Sequence, residues 1–270
     1  MKRQICELRR RILAENPLIH CITNPISINQ CANAVLAVGA RPIMAEHPQE
    51  AAEITATADA LLLNLGNITD ARMASMGISA RTAKEKGIPM VLDAVGVACS
   101  GLRREFARQL LDTAMPQVIK GNFSEIHALY RDAYRCAGVD ADEQLTVAAM
   151  EQTAAALSRQ LGTTILASGR VDIIPDGKKL VKVGNGDPML SSVTGTGCML
   201  GALCAAYLTA SGGLEASTAA CTVLGICGQL ARKDRGTGTF QVQLMDGLSC
   251  LSHDQIENLS KLEVCEIAKI

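Results

Sequence analysis

The chain has 270 residues, 48% of them hydrophobic and 20% charged, with a net charge of −1, 2% aromatic residues and no tryptophan. That length and apolar fraction suffice for a large α/β core, while the near-neutral charge and scarce aromatics give neither an electrostatic footprint nor a stacking platform for nucleic acid. No apolar run reaches the length of a bilayer span, and the eleven cysteines show no CxxC or paired spacing, so they read as reduced thiols of a cytoplasmic protein that does not engage a membrane.

Taken in chain order, short apolar runs alternate with amphipathic stretches. Met1–Glu15 reads as a charged helix without the apolar core of a signal peptide. Leu18–Thr23 reads as a strand, and Ser27–Val38 as a helix, with Ile28, Cys31, Ala32, Val35 and Leu36 at helical spacing and Gly39 ending it. A strand over Pro42–Ala45, a helix over Pro48–Ala58 and a strongly apolar strand over Leu61–Leu65 follow. Asp70–Lys86 predicts a helix stopped by Gly87. Met90–Leu92 predicts a strand that delivers Asp93 at its C-terminal end, and Leu102–Ala114 a helix. Val118 and Ile119 predict a strand delivering Lys120, Gly121 and Asn122, after which Ser124 is expected to cap a short helix. Tyr134–Gln144 is polar and acidic and reads as an exposed loop.

Thr146–Leu161 predicts a helix, and Thr164–Ala167 a strand ending at Ser168. Val171–Ile174 and Lys179–Val183, joined through Asp176-Gly177, predict a hairpin. Two helices are expected after Gly197, to Ala210 and from Leu214 to about Lys233. The end of the chain reads as a short strand over Phe240–Gln243, a helix over Asp246–Leu251 and a polar C-terminal helix. Repeated β-α-β implies one α/β domain over residues 1–270, with a mostly parallel sheet covered on both faces. Ligands of such sheets gather beyond the C-terminal strand ends, where Asp93, Lys120, Asn122 and Ser168 all fall.

The strongest local signal is Val193-Thr194-Gly195-Thr196-Gly197-Cys198, followed at once by the apolar helix Met199–Leu208. Two glycines allow a tight turn with free N–H groups, and the helix N-terminus adds partial positive charge, which suits a phosphoryl group. GxxxxGK[ST] is absent, so this is not a P-loop. Gly195, Gly197 and Gly201 form GxGxxxG, one residue off the dinucleotide fingerprint, but the helix is followed by another helix rather than by a strand. Taken singly, Glu125 reads as a first-turn acid favoured by the helix dipole and Asp93 as a loop acid. His20, His47, His127 and His253 are scattered and lack zinc spacing.

Several segments in order resemble the hydroxyethylthiazole kinases of the ribokinase-like superfamily. They are His20-Cys21-Ile22-Thr23-Asn24, Gly39–Ala45, Leu92-Asp93-Ala94-Val95-Gly96, Gly121–Glu125, Gly169-Arg170-Val171-Asp172, Gly195–Cys198 and Gly236–Phe240. The resemblance covers nearly the whole chain. It implies a three-layer α/β/α sandwich and an ATP- and Mg²⁺-dependent phosphorylation of the hydroxyl of 4-methyl-5-(2-hydroxyethyl)thiazole for thiamine diphosphate synthesis. It implies Cys198 as the catalytic residue in the place where ribokinase-like enzymes carry Asp, and Gly195, Thr196 and Gly197 as the anion hole. Lys120 and Ser168 stand at ATP-binding positions, Met44, Asn24 and Gly195 at substrate-binding positions, and Asp93 and Glu125 at Mg²⁺ positions, with Asn122 as the partner of Glu125 in an NxxE element. It further implies a homotrimer with sites between subunits. Lys120 stands where Arg is usual and loses the bidentate fork; Ser168 replaces Thr, and Ala94 and Pro25 replace frequent Pro and Asn. The neighbouring readings are a hydroxymethylpyrimidine or pyridoxal kinase and a nucleotide-dependent hydrate dehydratase on the same fold; a non-catalytic binding protein is disfavoured by the intact Asp93, Glu125 and glycine turn.

Overall fold

The computed structural model describes residues 1–131, 146–231 and 234–267. Five parallel strands form first: β1 (Leu18–Ile22), β2 (Arg41–Ile43), β3 (Ala60–Asn64), β4 (Met90–Asp93) and β5 (Val118–Asn122). β6 (Thr164–Ser168) adds in parallel, then β7 (Asp172–Pro175), β8 (Lys179–Val183) and β9 (Leu262–Glu266) add in antiparallel sense. The sheet runs β2-β1-β3-β4-β5-β6-β7-β8-β9. Helices are α1 (Lys2–Glu15), α2 (Ile28–Ala37), α3 (Ala51–Thr57), α4 (Asp70–Lys86), α5 (Gly101–Thr113), α6 (Phe123–Arg131), α7 (Val147–Leu161), α8 (Thr196–Leu208), α9 (Gly213–Leu230), α10 (Thr237–Cys250) and α11 (His253–Leu259).

Side-chain alternation along the strands builds two apolar layers. Leu62 and Val91 point to the face covered by α1, α2 and α8–α11. Leu61, Leu63, Met90 and Leu92 point to the opposite face, under α4 and α5, where α6 and α7 continue the layer over β5–β8. Helix α8 is buried along its whole length from Cys198 to Leu208, as expected of a helix apolar all round. Among the described residues no helix is long and apolar enough to cross a membrane, and all ten described cysteines are unpaired thiols, seven of them buried.

Three expectations are corrected. Phe240–Gln243 is not a strand, nor does a separate helix begin at Asp246: both belong to α10, whose buried Phe240, Leu244 and Leu248 recur at a helical spacing of four. Gly247 is tolerated there because α10 packs closely on α9, and a methyl group at Gly247 would stand 3.2 Å from the Cys227 Cβ. The C-terminal segment is not one polar helix; α11 ends at Leu259 and the chain then pairs with the free edge of β8 as β9. The cap of α6 is Asn122 rather than Ser124: Asn122 Oδ1 accepts from Glu125 N–H at 2.9 Å, while Ser124 is buried inside the first turn. The predicted loop Tyr134–Gln144 lies outside the described residues.

The hairpin of β7 and β8 is anchored at its start by a buried charge. Asp172 Oδ1 accepts from the Gly169 N–H at 3.0 Å, yet burial pushes its carboxyl up to about 6, against the pull of that bond and of Cys221. A raised carboxyl pKa means that its stabilising contribution is present below the unfolded value near 3.8 and is lost as pH rises through about 6. Asp172→Asn keeps the acceptor and removes the charge. It is expected to raise the unfolding free energy at pH 8 by on the order of 2 kcal/mol and to leave it nearly unchanged at pH 4. Urea denaturation at the two pH values checks this, and a variant weaker than the parent at pH 8 contradicts it.

Candidate active site

The C-terminal ends of β1–β6 form one row, and the parallel register fixes its order. Asn64 of β3 lies opposite Asp93 of β4, Asp93 opposite Lys120 of β5, and Asn122 opposite Ser168 of β6. The first turn of α8 comes to the same edge. Its N-cap Gly195 is in the left-handed region at φ 90° and supplies no side-chain cap, so the N–H groups of the first turn remain for an anion. Thr196 turns its hydroxyl away to the Leu190 carbonyl at 2.7 Å. The three glycines have separate duties. A methyl group would stand 3.0 Å from Ser27 Cβ at Gly195, 3.4 Å from Lys120 Nζ at Gly197 and 3.2 Å from Asp93 Oδ2 at Gly201. The run therefore serves a tight turn, an approach to Lys120 and close helix–sheet packing. α8 leads into α9, so the dinucleotide βαβ context is absent.

Asp93 is fully buried and Lys120 is 4% exposed. Lys120 Nζ stands 3.0 Å from Asp93 Oδ1, but off the hydrogen-bond direction, so that oxygen has a charge partner and no aligned donor. Asp93 Oδ2 accepts from Asn64 Nδ2 at 2.8 Å. Burial raises the Asp93 pKa, against Lys120 and Asn64, which lower it. Burial disfavours the Lys120 charge, but Asp93, Glu125 and Cys198 outweigh it and raise the ammonium pKa. The 3.0 Å separation and the Asn64 bond favour the ionised pair.

Glu125 closes a reciprocal capping box with Asn122, its Oε2 accepting from the Asn122 N–H at 2.7 Å. Its Oε1 accepts from the Gly96 N–H, also at 2.7 Å, and so ties the loop after β4 to α6. Burial, with Asp93 adding and Lys120 opposing, pushes its carboxyl up to about 7. Cys198 is 8% exposed. Burial and then the Asp93 charge raise its thiol pKa, while Lys120, Ser27 and Asn64 pull it down.

The remaining predicted residues spread along the row. Asn24 caps the short 3-10 turn Pro25–Ser27 and accepts from Ile26 N–H at 3.1 Å. Ser168 is half-buried and donates to the Gly121 carbonyl at 3.3 Å. Met44 follows β2, three strands from Asp93 along the sheet, or about 14 Å at the usual strand spacing. The loop carrying it is held by His20, whose Nε2–H donates to the Ala45 carbonyl at 2.9 Å. Two polar residues join this constellation without having been picked out in the sequence, Asn64 and Ser27. Asn64 left a trace as the polar end of a leucine-rich strand; Ser27 left none beyond opening a helix.

Whether these residues suit a divalent cation is tested by their donor set. Among the described residues no group of three or more metal-capable side chains exists, so no full protein cage forms. Asp93 Oδ1 lacks an aligned donor, and each Glu125 oxygen, holding one N–H, retains a lone pair. This fits Mg²⁺, which keeps several waters and takes phosphate oxygens besides one or two carboxylates. A groove of about 430 Å³ between α2 and α10 is lined by Gln30, Asn33, Leu36 and Met245. It nears the row only through Gln30, whose Cβ would stand 3.9 Å from a methyl group at Gly195, and none of the strand-end side chains lines it. The strand ends are the better chemical site, because the buried charges and the uncapped helix terminus converge there.

Comparison with known proteins finds relatives along nearly the whole chain. The model of the hydroxyethylthiazole kinase family matches residues 10–254. Hydroxyethylthiazole kinase 2 of Clostridium botulinum (strain Langeland / NCTC 10281 / Type F) is 45% identical over 255 residues, covering 93% of this chain and 96% of that one. Hydroxyethylthiazole kinase 1 of Methanosphaera stadtmanae is 40% identical, covering 96% of this chain and 95% of that one. The solved structure of the hydroxyethylthiazole kinase protein from Pyrococcus horikoshii OT3 superposes with a TM-score of 0.90 at 33% identity, over 98% of this chain and 100% of that one. Staphylococcus aureus pyridoxal kinase, solved with AMP-PCP and pyridoxal, superposes with a TM-score of 0.62 at 12% identity over 93% of this chain and 98% of that one, a likeness of fold alone.

Proposed function

Since the chain belongs to the hydroxyethylthiazole kinase family, an enzyme family on the ribokinase-like fold, we propose that it transfers the γ-phosphoryl group of ATP to the primary hydroxyl of 4-methyl-5-(2-hydroxyethyl)thiazole with Mg²⁺, feeding thiamine diphosphate synthesis in the cytoplasm. The observation that carries the chemistry is the buried Asp93–Lys120 pair set against the uncapped first turn of α8.

In this reading the N–H groups of Gly195, Thr196, Gly197 and Cys198 accept the charge of the transferring group. Lys120, beside Gly197, neutralises phosphate oxygens as a point charge. Asp93 and Glu125, with Asn122 holding Glu125 in place, would hold Mg²⁺ through water, and the ion when bound supplies further neutralisation of phosphate charge. Cys198 orients the alcohol hydroxyl, Asn24, Met44 and Gly195 bound the acceptor, and Ser168 lies on the nucleotide side. The chain acts as a homotrimer, a reading supported by the exposed apolar residues Ile26 in the turn before α2, Leu36 on α2 and Val242 on α10.

Incubating the purified chain with ATP-Mg²⁺ and a panel of thiazole, pyrimidine and pyridine alcohols, read by mass spectrometry, tests this. The thiazole alcohol is expected to gain one phosphoryl group, EDTA to abolish the gain, and light scattering of the same sample to give three times the 28.5 kDa chain mass. Phosphorylation of only a pyrimidine or pyridine alcohol refutes the substrate. Full activity in a persistent monomer refutes the shared site.

A further inference from the structure

Among the buried polar side chains at the strand ends that the scheme above leaves unused is Asn64. Asn64 ends β3 within the run Leu61–Leu65, all of it shielded from solvent. An amide in such a place costs about 1–3 kcal/mol unless its hydrogen bonds are made. They are made in one orientation only. Oδ1 accepts from the Gly66 N–H at 2.8 Å and Nδ2 donates to Asp93 Oδ2 at 2.8 Å. Flipping the amide would set oxygen against a carboxylate oxygen and NH₂ against an N–H.

Two consequences follow for the neighbours. Asp93 Oδ2 is committed to Asn64, so the acceptor capacity that remains lies on Oδ1, the oxygen near Lys120 without an aligned donor. On its other side Gly66 stands between Asn64 and Asn24: a methyl group there would lie 2.6 Å from Asn24 Nδ2 and 2.9 Å from Asn64 Oδ1. From Asn64 the contacts run on to Asp93, Lys120 and the Gly197 backbone.

Resting on the kinase reading, we propose that Asn64 is a positioning residue for phosphoryl transfer, which reserves one oxygen of Asp93 for a hydrated cation. Gly66 is glycine because a side chain there would collide with both Asn24 and Asn64.

The test uses the full chain with Asn64→Leu, of similar volume but without polar atoms, and Asn64→Asp, of the same shape but without the donor. Steady-state kinetics, Mn²⁺ affinity in the presence of ADP by electron paramagnetic resonance, and thermal unfolding are measured on each. Both folded variants are expected to lose about tenfold in kcat with KM for ATP within twofold, the mark of an interaction made in the transition state. The Mn²⁺ dissociation constant is expected to shift at least threefold, which a purely structural role in a folded variant would not produce. Parental kcat and Mn²⁺ affinity in a folded variant overturn the proposal; if the Leu variant does not fold, the Asp variant decides by the same readouts. An inactive parent refutes the kinase reading and takes the proposal with it, whereas an active parent with indifferent Asn64 variants refutes the proposal alone.

Discussion

Replacing Lys120 by Met is expected to lower the unfolding free energy by about 3–5 kcal/mol, the usual cost of removing one partner of a buried pair, and kcat by on the order of 100-fold. The stability loss comes from Asp93, which is fully buried and would keep only the Asn64 bond. Its carboxyl pKa, already raised by burial, would rise further without the ammonium. The deficit is therefore small at low pH, where Asp93 holds its proton, and grows as pH rises through the carboxyl pKa. Denaturation at pH 5 and pH 8 separates this from simple loss of side-chain packing, which would not vary with pH. The rate loss has another origin, the missing charge beside the first turn of α8. The double variant Lys120→Met/Asp93→Leu should thus recover much of the stability and none of the activity. A single variant as stable as the parent at pH 8 contradicts the ion pair, and one with parental kcat contradicts the phosphate role.

Cys198→Ala is expected to slow turnover roughly 30-fold without abolishing it, below the ~100- to 10,000-fold contribution of a full general base. A thiol at a helix N-terminus beside a lysine would ordinarily ionise easily. Here burial and the Asp93 charge outweigh Lys120 and raise its pKa. At neutral pH Cys198 is therefore a thiol, suited to orienting the acceptor hydroxyl rather than to taking its proton in advance, and a loose phosphoryl-transfer transition state demands little base strength early. Cys198→Asp is expected to fold and remain active, because the helix dipole and Lys120 favour a carboxylate in the first turn. Burial and the Asp93 charge, which raise the pKa of a group here, are met by its holding a proton more readily than an exposed acid. Steady-state kinetics on folded variants checks both. Parental kcat in the Ala variant reduces Cys198 to a packing residue, and a folded but inactive Asp variant contradicts the equivalence of thiol and carboxylate at this position.

Local patterning in the sequence determined most of the framework of this protein. The helix Asp70–Lys86 has its stop written at Gly87, which takes the left-handed conformation at φ 67°. The strand ends carrying Asp93, Lys120, Asn122 and Ser168 were legible because each ends an apolar run, and the glycine turn before α8 because φ 90° at Gly195 suits glycine. Tertiary structure alone decided what depends on partners distant in sequence. The stretch Phe240–Gln243 is too short to distinguish period two from period four until α9 offers it a face. Leu262–Glu266 becomes a strand because β8 has an open edge. The NxxE element reads equally as a metal motif and as a capping box, and only the fold shows Glu125 also reaching the Gly96 N–H, twenty-nine residues away. Asn64 gains its meaning in the same way. Within a leucine-rich strand it is an isolated amide, and the parallel register that sets it opposite Asp93 makes it a donor to that carboxylate.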